Sequence, residues 1–367
     1  MSKKQKSLIE KMNDNAKNNI EIVQKYKELK NEKKATNLDA CCSWIYLETY
    51  AMQSNAEDTS KNKEKLKPIF LCKNKFCANC SYVRSKRLFV DTYKVLDNIV
   101  NVKNINFIAY HLTLTVKNPN ADHYTKTLNT MNKAIYLMFK KTSKYKLKNY
   151  VLGYQCSRET TQSEEAKIRG ELHPHIHILL LLNPDFTNKT RNNKMTKADI
   201  LEEWNSCLKY FDATFPESTQ MKMNKIQDKT QAEAAVYGLN VNLQNSAIAE
   251  VSKYPVKISD LIKMSVEHFD IMDKALHHAR LITYGGIIKE TRAELKIKNN
   301  IVVDEFLNEE KYELIKVQFY NLLNKKYHEE EIGELEQAIY EDMKKARKRK
   351  LNKPKTKSRV LGECPPV

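Results

Sequence analysis

Three histidines alternate along one apolar stretch of the chain, which reads His173-Pro174-His175-Ile176-His177-Ile178-Leu179-Leu180. Successive side chains of a β-strand point to opposite faces, so His173, His175 and His177 share one face and the intervening isoleucines point into a core. Two imidazoles about 7 Å apart on a rigid strand suit a divalent metal ion. Pro174 lacks a backbone donor, which favours a strand that starts near residue 173.

A cluster of cysteines forms the second chemical pattern, with Cys72, Cys77 and Cys80 separated by four and then two residues. Three thiols at this spacing, with a further cysteine upstream, are typical of a structural zinc site with four ligands. Cys41 is the best fourth ligand and Cys42 is the alternate. Zinc binds thiolates well, and it would add folding energy to a small loop region.

A tyrosine near a glutamate forms the third pattern, in the segment Glu250-Val251-Ser252-Lys253-Tyr254-Pro255-Val256-Lys257. Tyrosine can form a covalent phosphate ester, which conserves the energy of a cleaved DNA bond. Glu250 and Tyr254 are four residues apart and share a helix face, and the proline after Tyr254 places it near the helix end. Lys253 and Lys257 could hold phosphate oxygens. Tyr237 is the competing tyrosine, although its surroundings favour packing.

The elements that must position these residues are both strands and helices, which predicts an α+β fold. Strand patterns cover about 107–116 and 151–160, and the second of these is expected to form a hairpin with the histidine strand. Helical patterns cover about 5–34, 125–145, 196–211, 230–255, 258–280 and 291–343. Residues 344–359 contain ten lysines and arginines and no acidic residue, which predicts a disordered tail that attracts phosphate.

Composition limits the classes of function. The 367 residues carry a net charge of +18 with a pI near 9.3, which favours a nucleic-acid partner. There is no long apolar run and no signal peptide in the polar start, so we expect a cytosolic protein whose eight cysteines are not disulfide-bonded. A GxxxxGK phosphate loop is absent, which argues against ATP-driven DNA unwinding by this chain.

These patterns together resemble a known family. The segments HLTLTVKN (111–118), HPHIHILLL (173–181) and EVSKYPVK (250–257) are similar to the three motifs of plasmid rolling-circle replication initiators in the HUH endonuclease superfamily. The cysteine segment from 41 to 87 and ALHHARLITYGGIIKE (275–290) resemble two further segments of one branch. The resemblance covers about residues 40–290. Cys42 departs from it, because a glycine is usual after the first cysteine.

The resemblance implies a central antiparallel sheet with covering helices and assigns roles to individual residues. His175 and His177 become metal ligands, and either His173 or Glu159 completes the metal site. Mn²⁺ or Mg²⁺ fits a mixture of imidazole and carboxylate ligands. Tyr254 becomes the nucleophile, and Glu250 becomes the base that activates water at termination. The zinc segment is expected to present Arg84, Lys86 and Arg87 to DNA as a fixed basic edge.

The implied activity is nicking of a plasmid double-strand origin, where a hairpin exposes a single strand. The products would be a 5′-phosphotyrosyl ester and a 3′-OH that primes a host polymerase, and a separate host helicase would open the duplex. Two other classes remain open: a non-catalytic, zinc-containing DNA-binding regulator, and a related relaxase or transposase. The oligomeric state is also open, with a dimer among the alternatives.

The expected domain organisation has five segments. They are a basic helical extension (1–37), a cysteine-rich zinc segment (38–90), the nuclease domain (91–290), a helical region (291–343) and a basic tail (344–367).

Overall fold

A computed structural model describes most of the chain and divides it into two compact units. The described residues are 7–52, 62–162, 164–187, 195–226, 252, 257–277, 279–297, 312–324 and 326–330, with isolated positions from 333 to 345. The first unit covers residues 1–43 and 70–307, and the second covers 44–69 and 308–367. The histidine strand and the four predicted zinc ligands belong to the first unit.

The helices and strands in chain order are α1 (Leu8–Glu28), α2 (Glu32–Asp39), β1 (Trp44–Met52), β2 (Lys63–Pro68), α3 (Ala78–Asp97), β3 (Ile108–Thr115), α4 (Tyr124–Phe139), β4 (Val151–Thr161), α5 (Glu164–Ile168), β5 (His173–Leu182), α6 (Lys197–Phe211), β6 (Met221–Lys225), α7 (Ile258–Lys263), α8 (Val266–Leu276), β7 (Ile282–Gly285), α9 (Gly286–Glu294), β8 (Tyr312–Leu323) and β9 (Lys326–Glu330). None of the described helices is long and apolar enough to cross a membrane.

The first unit contains a five-stranded sheet in the order β6-β3-β5-β4-β7, and each neighbouring pair is antiparallel. The histidine strand β5 therefore lies at the centre, and β4 and β5 form the predicted hairpin. Pro174 is the second residue of β5, as expected for a residue that cannot donate to the ladder. The α+β fold with antiparallel sheet and covering helices is confirmed.

The two faces of this sheet pack against different helices. Ile176, Ile178 and Leu180 of β5 point into a core with residues of α4 and α6 such as Met131 and Trp204. Further along the strand, alternate positions on the opposite face pack against α3 and α9. That second layer contains Leu179 and Leu181 but not the histidines. The histidines thus occupy the end of a face whose other end is filled by apolar side chains.

The N-terminal segment forms two helices instead of the single helix expected over 5–34. Ser7 and Glu10 form a capping box that starts α1, as the pairing of a hydroxyl with a glutamate favours. Lys30 adopts a left-handed conformation with φ 55°, which ends the first helix before α2 begins.

The second unit is a four-stranded antiparallel sheet in the order β2-β1-β8-β9. The expectation of a helical region over 291–343 is therefore wrong between Tyr312 and Glu330, which form two strands. Val317 and Phe319 are buried at alternate positions, and the register shift between Thr49 and Tyr50 in the pairing with β1 displaces buried Leu314 from that alternation by one residue.

The predicted zinc segment 38–90 is also divided differently, because its residues 44–69 belong to the second unit. These residues form β1 and β2, and β1 pairs with β8 from the far end of the chain. Pairing between strands so distant in sequence leaves no local signal. The described residues do not decide the other predicted boundaries.

Candidate metal and nucleic-acid site

Three metal-binding side chains converge where β4 and β5 pair. Glu159 of β4 is opposite His175 in the ladder, and His177 lies two residues further along β5 on the same face. Glu159 Oε2 is 3.1 Å from His175 Nε2 and 2.9 Å from His177 Nε2. All three residues are buried. One ligand atom from each lies within 4.8 Å of the others, which is the arrangement of a group that could hold a metal ion.

The other ring nitrogen, Nδ1, of both His175 and His177 lies within hydrogen-bond distance of a further group. His175 Nδ1 is 3.2 Å from the carbonyl oxygen of His173, and His177 Nδ1 is 3.3 Å from Thr113 Oγ1. A hydrogen bond at Nδ1 fixes the ring and leaves Nε2 as the ligand atom, which is the usual support of metal-binding histidines. Both Nε2 atoms lie within hydrogen-bond distance of the same carboxylate oxygen of Glu159, so the three ligand atoms converge on one point. The donor set therefore fits a divalent metal.

The carboxylate has a strongly perturbed acidity. Burial, the largest single effect, favours the neutral acid, but the hydrogen bonds and charges of His175 and His177 together outweigh burial. The net result is a pKa of Glu159 well below its usual value. An ionised carboxylate at this position suits a cation ligand.

His173 lies outside this group of three. Its Nδ1 is 2.6 Å from Asn118 Oδ1, and its ring is 5.2 Å from that of His175. Burial and the neighbouring His175 lower the pKa of His173. Of the two alternatives for the last metal ligand, the geometry places Glu159, and not His173, against His175 and His177.

A cavity of about 1000 Å³ opens beside the histidines. One wall consists of β5 histidines and β3 residues, and the other consists of β6 and the first turn of α6. His111 of β3 lines it and stacks on His177, with ring centroids 5.3 Å apart. Lys197, Lys222 and Lys225 also line it. The sequence places His111 in the segment HLTLTVKN but does not single out Lys222 or Lys225, because only the pairing of β6 with β3 brings them to the cavity.

The predicted zinc ligands meet at the start of α3. Sulfur atoms of Cys41, Cys72, Cys77 and Cys80 lie within 4.8 Å of one another. Cys80 Sγ is 3.6 Å from Cys41 Sγ and 3.7 Å from Cys72 Sγ. Hydrogen bonds from the other three thiols lower the pKa of Cys80. Four convergent thiols, one of them favoured as thiolate, fit a tetrahedral zinc ion.

Cys42 is adjacent to this group but outside it. Its Sγ is 3.9 Å from Cys41 Sγ, and its backbone is left-handed with φ 59°. Glycine adopts this conformation without a steric cost, which accounts for the glycine usual at this position in the resembling family. Cys42 is fully buried despite the strain.

Of the four predicted DNA-binding residues, the two arginines have partners within the protein and the two lysines are exposed to solvent. Arg84 donates to the carbonyl oxygens of Asn74 and Lys73, and Arg87 forms an ion pair with Asp91 at 3.3 Å. Lys86 and Lys257 are exposed. The predicted residues Glu250, Lys253, Tyr254 and Tyr237 lie outside the described residues.

Comparisons with known proteins agree with these features. A family model described as replication protein matches residues 63–330. A protein of Bacillus amyloliquefaciens named "Protein rep" is 28% identical over 272 residues, covering 72% of this chain and 74% of the relative. A "Protein rep" of Streptococcus pneumoniae serotype 2 is 26% identical over 238 residues, covering 64% and 66%. Another from Bacillus sp is 26% identical over 275 residues, covering 72% and 81%. No solved structure matches the chain significantly.

The family match covers both the convergent histidines and most of the cysteine cluster. The fold and these two groups are therefore those of a DNA replication protein. The chain belongs to the replication protein family, and it is a plasmid rolling-circle replication initiator.

Proposed function

We propose that this initiator is a metal-dependent nickase that cuts one strand of the plasmid double-strand origin. The observation that carries the proposal is the convergence of Glu159, His175 and His177 at an open cavity lined by lysines. Buried ligands of this kind, next to a cavity with room for a substrate, are typical of a catalytic metal site. A Mn²⁺ or Mg²⁺ ion held by these three residues would polarise the scissile phosphate.

Tyr254 is the proposed nucleophile, on the basis of its motif. Its hydroxyl oxygen attacks phosphorus, the bond from phosphorus to the 3′ oxygen breaks, and that oxygen leaves as a 3′-OH after gaining a proton. The 5′ phosphate stays on Tyr254 as an ester, and the 3′-OH primes a host polymerase. Lys253 and Lys257 are proposed to hold phosphate oxygens. A host helicase is the proposed partner that unwinds the duplex.

The cysteine group is proposed to hold a structural Zn²⁺, with Cys41 as the fourth ligand. The convergence of four thiols at the start of α3 supports this. Arg84, Lys86 and Arg87 follow on the same helix, and exposed Lys86 is the member of this set best placed to reach DNA. A structural ion at this position would contribute stability and not chemistry.

The nicking proposal is tested by incubating the protein with an origin oligonucleotide and Mn²⁺ and separating the products under denaturing conditions. The expected result is a covalent protein–DNA adduct that Tyr254→Phe abolishes and the control Tyr237→Phe retains. An adduct still formed by Tyr254→Phe contradicts the assigned nucleophile. Absence of any adduct with the unchanged protein favours the non-catalytic regulator. A relaxase or transposase would form the adduct on its own target and not on a replication origin.

Termination is proposed to use Glu250 in place of a second tyrosine. A carboxylate can take a proton from water, so the last cut becomes a hydrolysis and leaves no second adduct. Glu250→Gln should retain the first nick and accumulate products that are not terminated, as judged by the lengths of the released strands. Loss of the first nick in Glu250→Gln contradicts this role and favours a metal ligand or an activator of Tyr254.

A further inference from the structure

We infer that helix α1 is part of the zinc site, and that Asn19 positions the ligand Cys77 through a hydrogen bond to its sulfur. The inference deepens the proposed function, because it rests on the proposed structural Zn²⁺ and adds a residue that supports it. Helix α1 ends well before residue 63, where the match to the family model begins. It also lies outside the cysteine pattern, so no spacing in the sequence connects it to the ligands.

The side chain of Asn19 bridges α1 to the start of α3. Its Nδ2 is 3.5 Å from Cys77 Sγ, and its Oδ1 accepts from the backbone N–H of Ala78 at 2.8 Å. Asn19 is 6% exposed and Cys77 is fully buried, so water competes little for these contacts. An amide side chain offers a donor and an acceptor at once, which is what the two contacts need.

Helix α3 begins at a residue that does not cap it. Cys77 occupies the N-cap position, and its side chain forms no capping hydrogen bond, since its sulfur faces the other three cysteines. The first N–H groups of a helix have no partner inside the helix. Asn19 accepts from the first of them, at Ala78, and so performs from a neighbouring helix the usual role of an N-cap side chain. The sulfur of Cys77 is left to bind metal.

The donor of the same amide suits a thiolate ligand. Four thiolates outweigh the charge of one Zn²⁺, so N–H groups that point at sulfur stabilise the loaded site. The backbone N–H of Cys72 makes such a contact with Cys41 Sγ at 3.4 Å. Asn19 supplies the corresponding donor for Cys77. Because this donor belongs to a side chain, a substitution can remove it.

A second residue of α1 holds the loop that carries the ligands, residues 73–76. Tyr26 lies about two helical turns after Asn19 and therefore on the same face of α1, and it is fully buried. Asn74 of the loop donates from Nδ2 to Tyr26 Oη at 3.0 Å, and its Oδ1 accepts from the N–H of Phe76 at 2.8 Å. One face of α1 thus contacts both the loop and the start of α3.

The first test is the zinc affinity of full-length Asn19→Asp and Asn19→Ala proteins, measured by competition with a chromogenic chelator. Aspartate keeps an acceptor for Ala78 and is favourable at a helix N-terminus, so a role in capping alone predicts no loss in Asn19→Asp. Both variants lack the donor to sulfur, and each should bind Zn²⁺ about 10- to 100-fold more weakly. Asn18→Asp, the same change at the preceding, half-buried position of α1, should keep the affinity of the unchanged protein.

The second test reads the sulfur itself, with Co²⁺ loaded in place of zinc. Loss of an N–H donor raises the energy of the sulfur electrons, so the sulfur-to-cobalt charge-transfer band should move to longer wavelength in Asn19→Ala. A lost helix cap by itself leaves that band in place. This measurement separates the hydrogen bond to Cys77 from the cap at Ala78, and it introduces no new charge beside the thiolates.

Unchanged zinc affinity in either Asn19 variant overturns the inference, as does an unmoved cobalt band in Asn19→Ala. The unchanged protein distinguishes this failure from that of the zinc assignment. If it holds no zinc, the assignment itself fails. If it holds zinc and the two variants bind zinc as tightly, the inference fails alone.

Discussion

Glu159 and His175 are directly opposite each other in the antiparallel pairing of β4 with β5, and their side chains meet with Oε2 3.1 Å from Nε2. The candidate metal site is thus built across two strands, with the carboxylate from one and the imidazoles from the other. Because both strands lie inside the sheet, the backbone ladder fixes the ligands before any metal binds. This rigidity leads to the first prediction.

Glu159→Gln should lower Mn²⁺ affinity by about 10- to 100-fold, because glutamine has nearly the same shape but lacks the charge. Isothermal titration with Mn²⁺ measures this directly. Formation of the adduct should fall in parallel and recover in part at high Mn²⁺ concentration. Glu165→Gln, at an exposed position of α5, is the matched control and should bind Mn²⁺ normally. Unchanged Mn²⁺ affinity in Glu159→Gln would favour His173 as the third ligand.

Local patterns in the sequence predict much of this site. The alternation of histidines predicts the face they share, and the spacing of Cys72, Cys77 and Cys80 predicts their convergence, because both depend on residues a few positions apart. The resemblance to a family adds Glu159, which no spacing would indicate. Its contact with the histidines depends on the β4–β5 hairpin, whose register the charged loop between the strands does not reveal.

Non-local pairing accounts for what the sequence does not predict. Lys222 comes to the cavity only because β6 joins β3, more than one hundred residues earlier in the chain. The second sheet joins β1 to β8 across an even longer separation. The charged C-terminal region is predicted to be helical, but it contains β8 and β9, which join a sheet with β1 and β2. Such pairings depend on tertiary packing that a single sequence does not show.

The cysteine group yields the second prediction. Cys80→Ser should remove zinc from the purified protein and lower its thermal midpoint, because metal-binding energy contributes to folding energy. Cys156→Ala, which changes a buried cysteine of the sheet core, is the control and should retain one zinc per chain. Zinc content is measured by elemental analysis on protein purified without chelator. A protein without zinc in its unchanged form would contradict the assignment.

Cys42 yields the third prediction, because its left-handed backbone should make a glycine substitution more stable than an alanine substitution, the reverse of the usual order of stability. Alanine at φ 59° keeps the steric strain, whereas glycine relieves it. Cys42→Gly should therefore be more stable than Cys42→Ala by about 1 kcal/mol in urea denaturation. Both variants should keep zinc, while Cys41→Ala should lose it. Loss of zinc in Cys42→Ala with retention in Cys41→Ala would make Cys42 the fourth ligand.

The loop between Cys72 and Cys77 contacts helix α8 through two consecutive residues. Lys75 Nζ donates to the carbonyl oxygens of Leu276, the last residue of α8, and of His277 and Ala279, which follow the helix. The ring of Phe76 lies 5.0 Å from that of Phe269 within α8. A cation at a helix C-terminus satisfies carbonyls that have no partner within the helix and opposes the helix dipole. The loop between Cys72 and Cys77 therefore contacts α8 both at its C-terminal end and within the helix.

The fourth prediction follows from that contact. Lys75→Met retains an apolar stem but loses the charge and the donors, so it should lower the free energy of unfolding by about 1–3 kcal/mol, the range for a hydrogen bond to a charged group. Lys75→Arg should recover part of this, because its guanidinium can reach the same carbonyls. Lys33→Met, at an exposed position of α2, is the control and should change stability little. If the loop depends on zinc as its position implies, chelation of the unchanged protein should increase proteolysis near residues 276–279, and Lys75→Met should show the same cleavage without chelator. Protection of this segment in both cases would show that α8 is held without the loop.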